Sequence, residues 1–340
     1  MASTALVTGG SGFIASHLLP ALVEAGWDVR TCGRRPRPDD LAGEISYFQV
    51  DLADPSADLG PVVDGVRQVF HLAGASSSRS SEEEMFRNNV DATAHLLDAV
   101  SAAGAEVVVH MSSTSVYGEE EQLPSPVPET VEPRPSRAYG KAKWQTEQVV
   151  WRAVEAGLPA VVVRPVSVHG PGATKLLASA MLDVAIERFA GLDTVVIGPA
   201  PVEQRLLHVD DVVAASVYLA GHAPAQGRAF NLAMPQYPSS HEVAALLAAE
   251  LGLGFEVVDD AECGPSTEER TAARDRMLAA GMTDDILFTP ERFRFMGKAN
   301  RNNRIDLSAL LGTGFTLGQT DLGDAVAELA AWYGEHRWIL

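Results

Sequence analysis

A short apolar run, Ala5-Leu6-Val7-Thr8, ends in Gly9-Gly10-Ser11-Gly12, and an apolar helical pattern starts at once with Phe13, Ile14, Leu18, Leu19, Leu22 and Val23. Strand, glycine corner and helix in this order make the phosphate-binding opening of a Rossmann unit. Gly9 permits the tight turn, and Gly12, lacking a Cβ, lets backbone approach a pyrophosphate. The helix N-terminus offers that anion free N–H groups and a positive dipole end. Phe13 and Ile14 open the helix and are counted with these glycines as cofactor-binding residues. The third small position, where helix packs on strand, is Ala15.

The pattern repeats along the first half. Trp27 to Cys32, Ile45 to Val50, Val66 to Leu72, Glu106 to Met111 and Ala160 to Val168 read as strands, separated by helical patterns. Near-continuous apolar strands fit a parallel sheet covered on both faces, so the class is α/β with a doubly wound Rossmann-type sheet. The second strand ends in Gly33-Arg34-Arg35 with no acid. An acid there would hold a ribose 2′-hydroxyl, whereas arginine accommodates a 2′-phosphate. Arg34 and Arg35 therefore point to NADP(H), with NAD(H) possible; the alternative is a solvated basic loop. Asp51 can meet an adenine or cap its own turn. Small residues at Ala73-Gly74 leave room for a dinucleotide to cross the strand ends.

Ser112-Ser113-Thr114-Ser115 ends the fifth strand, a proline-rich loop follows from Glu119 to Pro135, and a helix opens at Ser136 with Tyr139 and Lys143 on one face. An ammonium beside a phenol is expected to lower the phenol, which can then exchange a proton with a carbinol. Ser113 could hold the same oxygen. From about Pro235 onward short helices dominate. The expected division is a dinucleotide-binding domain over 1–170, with 192–234 returning to it, and a smaller, mostly helical substrate lobe over 171–191 and 235–340. Glu262 to Arg276 reads as a solvated helix face, and Asn300 to Asn303 as a loop.

The net charge of −19 argues against a nucleic-acid or anionic-membrane surface. Cys32 and Cys263 give neither a disulfide framework nor zinc spacing, which suits a cytoplasmic location. No apolar run reaches the roughly 18 residues of a membrane helix. His208-Val209-Asp210-Asp211 has no third ligand placed with it, so no metal is expected.

Together, Thr8 to Ala15, Asp51-Leu52, His71-Leu72-Ala73-Gly74, Asn89 to Thr93, Ser112-Ser113, Val116-Tyr117-Gly118, Tyr139 to Lys143, Arg164-Pro165 and His208 to Val212 give the chain its family likeness. It resembles the extended short-chain dehydrogenase/reductase family, in particular the nucleotide-sugar epimerase and dehydratase branch. The resemblance implies Tyr139 as acid/base, Lys143 as its partner and ribose ligand, and Ser113 as the group holding the reacting oxygen. It implies cofactor contacts from Asp51, Leu52, Leu72, Ala73, Gly74, Asn89 and Pro165, and substrate contacts from Ser115, Ser167, His169 and Arg205. Arg301 and Arg304 are further candidates for a nucleotide diphosphate. Helices around 83–102 and 139–156 look like the family's dimer interface, which implies a homodimer. Family 4,6-dehydratases carry acids directly after the catalytic hydroxyl; Thr114 and Ser115 stand there and cannot ionise usefully, which argues against such a dehydratase, although Glu119, Glu120 and Glu121 further along, read as a solvated loop, could in principle substitute. Ser167 stands where many sugar-nucleotide enzymes have Asn, and His169 where the family often has Tyr. The expected function is an NAD(P)-dependent epimerase of a small-molecule substrate, a nucleotide sugar; the alternative is an NADPH-dependent ketoreductase of a sugar or of a steroid- or flavonoid-type ketone, and a third reading is a dinucleotide-sensing regulator without chemistry, against which the intact Ser113, Tyr139 and Lys143 weigh.

Overall fold

The computed structural model describes residues 3–75, 81–118, 123–259, 264–283, 286–293, 304–318 and 321–340. In chain order the elements are β1 (Thr4–Thr8), α1 (Phe13–Glu24), β2 (Asp28–Gly33), β3 (Ser46–Gln49), α2 (Gly60–Val63), β4 (Val66–His71), α3 (Glu82–Phe86), α4 (Ala92–Ala102), β5 (Val107–Met111), α5 (Ala138–Glu155) and β6 (Ala160–Pro165). There follow β7 (Ser167–His169), α6 (Leu177–Phe189), β8 (Thr194–Ile197), β9 (Leu206–His208), α7 (Val209–Gly221), β10 (Arg228–Leu232), α8 (Ser240–Glu250), β11 (Gly254–Val257), α9 (Thr267–Ala279), α10 (Ser308–Leu311) and α11 (Leu322–Glu335).

Seven strands form one sheet in the order β10-β6-β5-β4-β1-β2-β3, and every pairing in it is parallel. The order runs outward from β1 on one side and from β4 on the other. The topological switch therefore lies between β1 and β4, and ligands of such sheets bind beyond the C-terminal strand ends there. β5 and β6 are buried throughout, which accounts for their unbroken apolar sequences. Leu6, Val69, Val108 and Val162 pack with Leu96 of α4 and Val150 of α5. Each such side chain contributes about 1.5–3 kcal/mol on burial.

The chain divides into two compact units: 1–166 with 209–233 and 305–317, and 167–208 with 234–304 and 318–340. These bounds differ from the expected ones in three ways. The expected sixth strand is broken after Pro165: β6 stays in the large sheet, whereas β7 pairs with β9 in the second unit. The segment returning to the first unit starts at Val209 rather than 192, because β8 pairs with β11 and not with the large sheet. Residues 305–317 also return, through a bridge from Ile305 to Val127. Among the described residues no helix is long and apolar enough to cross a membrane.

Inside the second unit, α6 is buried from Leu177 through Glu187. Two acids one turn apart on it hold two arginines. Asp183 pairs with Arg270 and accepts from the Phe293 N–H at 2.7 Å; Glu187 pairs with Arg292. Arg270 is 1 % exposed, so the charged stretch around it is not wholly a solvated face. The sequence hid this because the matching acid sits in a distant helix. Glu119, Glu120, Glu121, Cys263, Arg301 and the loop over 300–303 lie outside the described residues.

Candidate active site

The turn after β1 is built for close approach. Gly9 has φ +75°, and a Cβ there would stand 2.9 Å from the Ala73 backbone. Gly12 N-caps α1 with extended backbone and makes no side-chain cap, and no acid stands in the first turn. A twelve-residue helix thus begins with its first N–H groups uncapped by side chains and its positive end uncompensated. This cradle fits a dinucleotide pyrophosphate. Phe13 and Ile14 lie half-buried beside it. At the next strand end Arg34 and Arg35 are exposed. Arg34 donates to Asn88 Oδ1 at 3.3 Å, and Arg35 reaches back to Ser11 Oγ of the glycine turn at 3.4 Å. Asp51 accepts from the Ala53 N–H at 3.0 Å, so the carboxylate caps its own turn; Leu52 is buried beside it.

The β4 end carries Leu72, Ala73 and Gly74. A Cβ on Gly74 would meet Asn89 Oδ1 at 2.5 Å and Lys143 Nζ at 3.6 Å, so these two polar groups converge on that glycine. Asn89 is buried in a π-helical turn, Arg87–Asp91, between α3 and α4. Its Nδ2 donates to the carbonyls of Met85 (2.7 Å) and Ala75 (3.2 Å). Such bulges often occur at functional sites. The apolar spacing of the sequence runs straight through the segment and gave no sign of it.

The Ser/Thr cluster after β5 folds into a tight 3₁₀ turn, Thr114–Tyr117. Ser113 Oγ caps it by accepting from the Ser115 N–H at 3.1 Å, and donates to Ser115 Oγ at 3.1 Å. Gly140 lets α5 come against this turn: a Cβ there would lie 2.5 Å from the Ser115 carbonyl oxygen. Tyr139, one residue earlier, hydrogen-bonds Ser113. Pro165 ends β6 close by, its carbonyl accepting from Thr114 Oγ1 at 3.4 Å.

The electrostatics correct one expectation. Burial pushes the Tyr139 phenol up, and the Ser113 hydrogen bond pulls the other way. The lowering hydrogen bond comes from Ser113, while the Lys143 ammonium donates to the last carbonyl of β5, Met111 O, at 2.7 Å. Burial brings Lys143 itself down to about 8, against the pull of Glu147. Glu147, one turn further along α5, is fully buried; it takes two guanidinium nitrogens of Arg164, at 3.0 and 2.6 Å, and the Ser112 hydroxyl. Arg164 also donates to Tyr117 Oη (2.9 Å), which donates to Asn231 Oδ1 (2.7 Å). Sequence reading named Arg164 only for its motif and missed Glu147. The signal was there: Tyr139, Lys143 and Glu147 are spaced four apart.

Ser113, Tyr139, Lys143, Asn89 and the other candidate cofactor residues thus fall in the first unit. Ser167, His169 and Arg205 lie in the second, the first two on β7 and Arg205 just before β9. His169 is buried opposite His208 in register, with ring centroids 5.3 Å apart. His208 in turn meets Glu328 at 3.2 Å. Arg304 pairs with Glu203 at 2.8 Å.

The sequence profile of the NAD dependent epimerase/dehydratase family matches residues 5–233. The chain belongs to that family, whose extended short-chain dehydrogenase/reductase character the motifs had suggested. A tetraketide alpha-pyrone reductase 2 of Arabidopsis thaliana is 32% identical over 249 residues, covering 66% of this chain and 75% of that protein. A putative dihydroflavonol 4-reductase of Synechocystis is 33% identical over 181 residues, 50% of this chain and 51% of that one. The chain spans about half the length of the first curated relatives it matches. Among solved structures, MoeE5 in complex with UDP-glucose and NAD is 27% identical, with a TM-score of 0.71 over 98% of this chain and 99% of that chain.

Proposed function

We propose that the protein is an NAD(P)-dependent epimerase of a nucleotide sugar, working by transient oxidation of a carbinol. The observation that carries this reading is the meeting of Tyr139 with Ser113 at the sheet edge where Lys143, Asn89 and the glycine turn also stand. A bound nicotinamide would accept a hydride and return it. Gly9, Gly12, Phe13 and Ile14 would hold its pyrophosphate, and Lys143 its ribose. Ser113 holds the reacting oxygen. Tyr139 takes the hydroxyl proton and gives it back. Full-length likeness to MoeE5, solved in complex with UDP-glucose and NAD, supports a nucleotide-sugar substrate; Ser115 is the candidate substrate contact of the first unit, and Ser167, His169 and Arg205 are those of the second. The reading includes a homodimer through α3, α4 and α5, supported by Phe86, which α3 leaves 42% exposed.

The test supplies UDP-glucose and UDP-glucuronate with NAD or NADP and follows the sugar by NMR. Epimerisation without net change in cofactor absorbance is the expected result. Stoichiometric loss of NADPH with a ketone would instead establish the second reading, a ketoreductase. Two observations favour that second reading: a phenol held above its ordinary range is suited to donating a proton, and two exposed arginines follow the end of β2. Arg34→Ala with Arg35→Ala is expected to weaken NADPH binding by about 10–100-fold, as two charge-assisted contacts are lost. NADH binding, measured alongside by calorimetry, should change little; equal losses would contradict the NADP preference.

A further inference from the structure

His71 takes no part in the chemistry described so far, yet it is 1% exposed and bonded at both ring nitrogens. Nδ1 meets Thr8 Oγ1 at 2.7 Å, and Nε2 meets Thr93 Oγ1 at 2.7 Å. Beyond these, Thr8 Oγ1 accepts from the Ala73 N–H at 3.1 Å, and the Thr93 hydroxyl donates to the Asn89 carbonyl at 2.5 Å. The polarity of this line is forced. A carbonyl can only accept, so Thr93 spends its one proton on Asn89 and must accept from Nε2–H. Nδ1 is then bare and accepts the Thr8 proton. Burial pushes His71 down to about 3, with Lys143 adding to the effect. His110, its cross-strand neighbour with ring centroids 5.3 Å away, is held neutral for the same reasons. The ring therefore stays in one neutral tautomer.

The two ends of the line matter. Ala73 is the residue on which Gly9 packs, and Asn89 meets Lys143 at Gly74. We propose that His71 is a positioning residue: its ring carries one oriented line of hydrogen bonds from the strand end under the glycine turn to the π-helical turn that holds Asn89. It thereby keeps the phosphate cradle and the Lys143 end of the site in register. The role rests on the dinucleotide-binding reading of this sheet edge.

The full chain, labelled with ¹⁵N, is compared with His71→Leu, His71→Gln, Thr93→Val and the His71→Leu/Thr93→Val double variant. In the unsubstituted protein the His71 ring should show a bare Nδ1 and a protonated Nε2 throughout about pH 5 to 9. His71→Leu and Thr93→Val should each weaken NADPH binding by about tenfold, and the double variant no more than either, as members of one unit are non-additive. Gln can donate and accept at the same two places, so His71→Gln should recover most of the loss. Thr93→Val keeps the test open should His71→Leu fail to fold. The opposite tautomer, a ring that titrates in that range, or unchanged NADPH affinity in Thr93→Val would overturn the proposal. An unsubstituted chain that binds neither NADPH nor NAD would overturn the cofactor reading with it, whereas intact binding beside an unaffected Thr93→Val overturns the positioning role alone.

Discussion

Replacing Tyr139 by Phe is expected to lower turnover by about 10²–10⁴-fold, the ordinary contribution of a positioned proton donor. Cofactor affinity should stay close to that of the unsubstituted protein. The ring fills the same volume, and the hydroxyl's bond in the free protein goes to Ser113, not to the glycine turn. Because burial holds the phenol above its ordinary range, proton donation to a ketone oxygen should persist well past neutral pH. Parallel measurement of turnover and of cofactor binding by calorimetry checks both halves. Full turnover in Tyr139→Phe would remove the acid/base assignment.

Glu147→Gln is expected to have the largest effect on stability. Its carboxylate and the Arg164 guanidinium are 0% and 4% exposed. Removing one charge leaves the other buried and uncompensated, which costs about 3–5 kcal/mol. Urea unfolding at neutral pH measures this. The same change acts on Lys143, which stands at about 8 with burial pulling it down and Glu147 pulling it up. Without the carboxylate's pull it should fall further. The direction in stability follows. A lysine lower in the folded than in the unfolded chain binds fewer protons when folded, so from about 8 to the ordinary lysine value of 10.5 its contribution to stability rises with pH. In Glu147→Gln that window should open at lower pH, and any limb of activity that needs the ammonium should move down with it. A limb that stays in place would show that Glu147 does not set the charge of Lys143.

The first half of the fold was legible because its local signals agree. Apolar strands, the glycine corner and the four-residue spacing of Tyr139 and Lys143 all describe neighbours along the chain. What escaped depends on partners far away in sequence. Nothing local shows that Lys143 turns its ammonium to Met111, that β8 pairs with β11, or that Arg270 is buried against Asp183. The π-helical turn at Arg87–Asp91 escaped for another reason: one extra residue in a turn leaves apolar spacing almost unchanged. His71 sits inside an apolar strand pattern that gives it no polar partner; its hydrogen-bonding at both nitrogens appears only once β1 and α4 are beside it.

The central claim is that Tyr139 and Ser113 share one substrate oxygen beside the nicotinamide. A crystal structure of the protein with NADP and UDP-glucose tests it most directly. The account predicts a single sugar oxygen within hydrogen-bond distance of both Tyr139 Oη and Ser113 Oγ, with its carbon facing the nicotinamide ring. A nicotinamide bound elsewhere, or a Tyr139 side chain turned away from that oxygen, would contradict it.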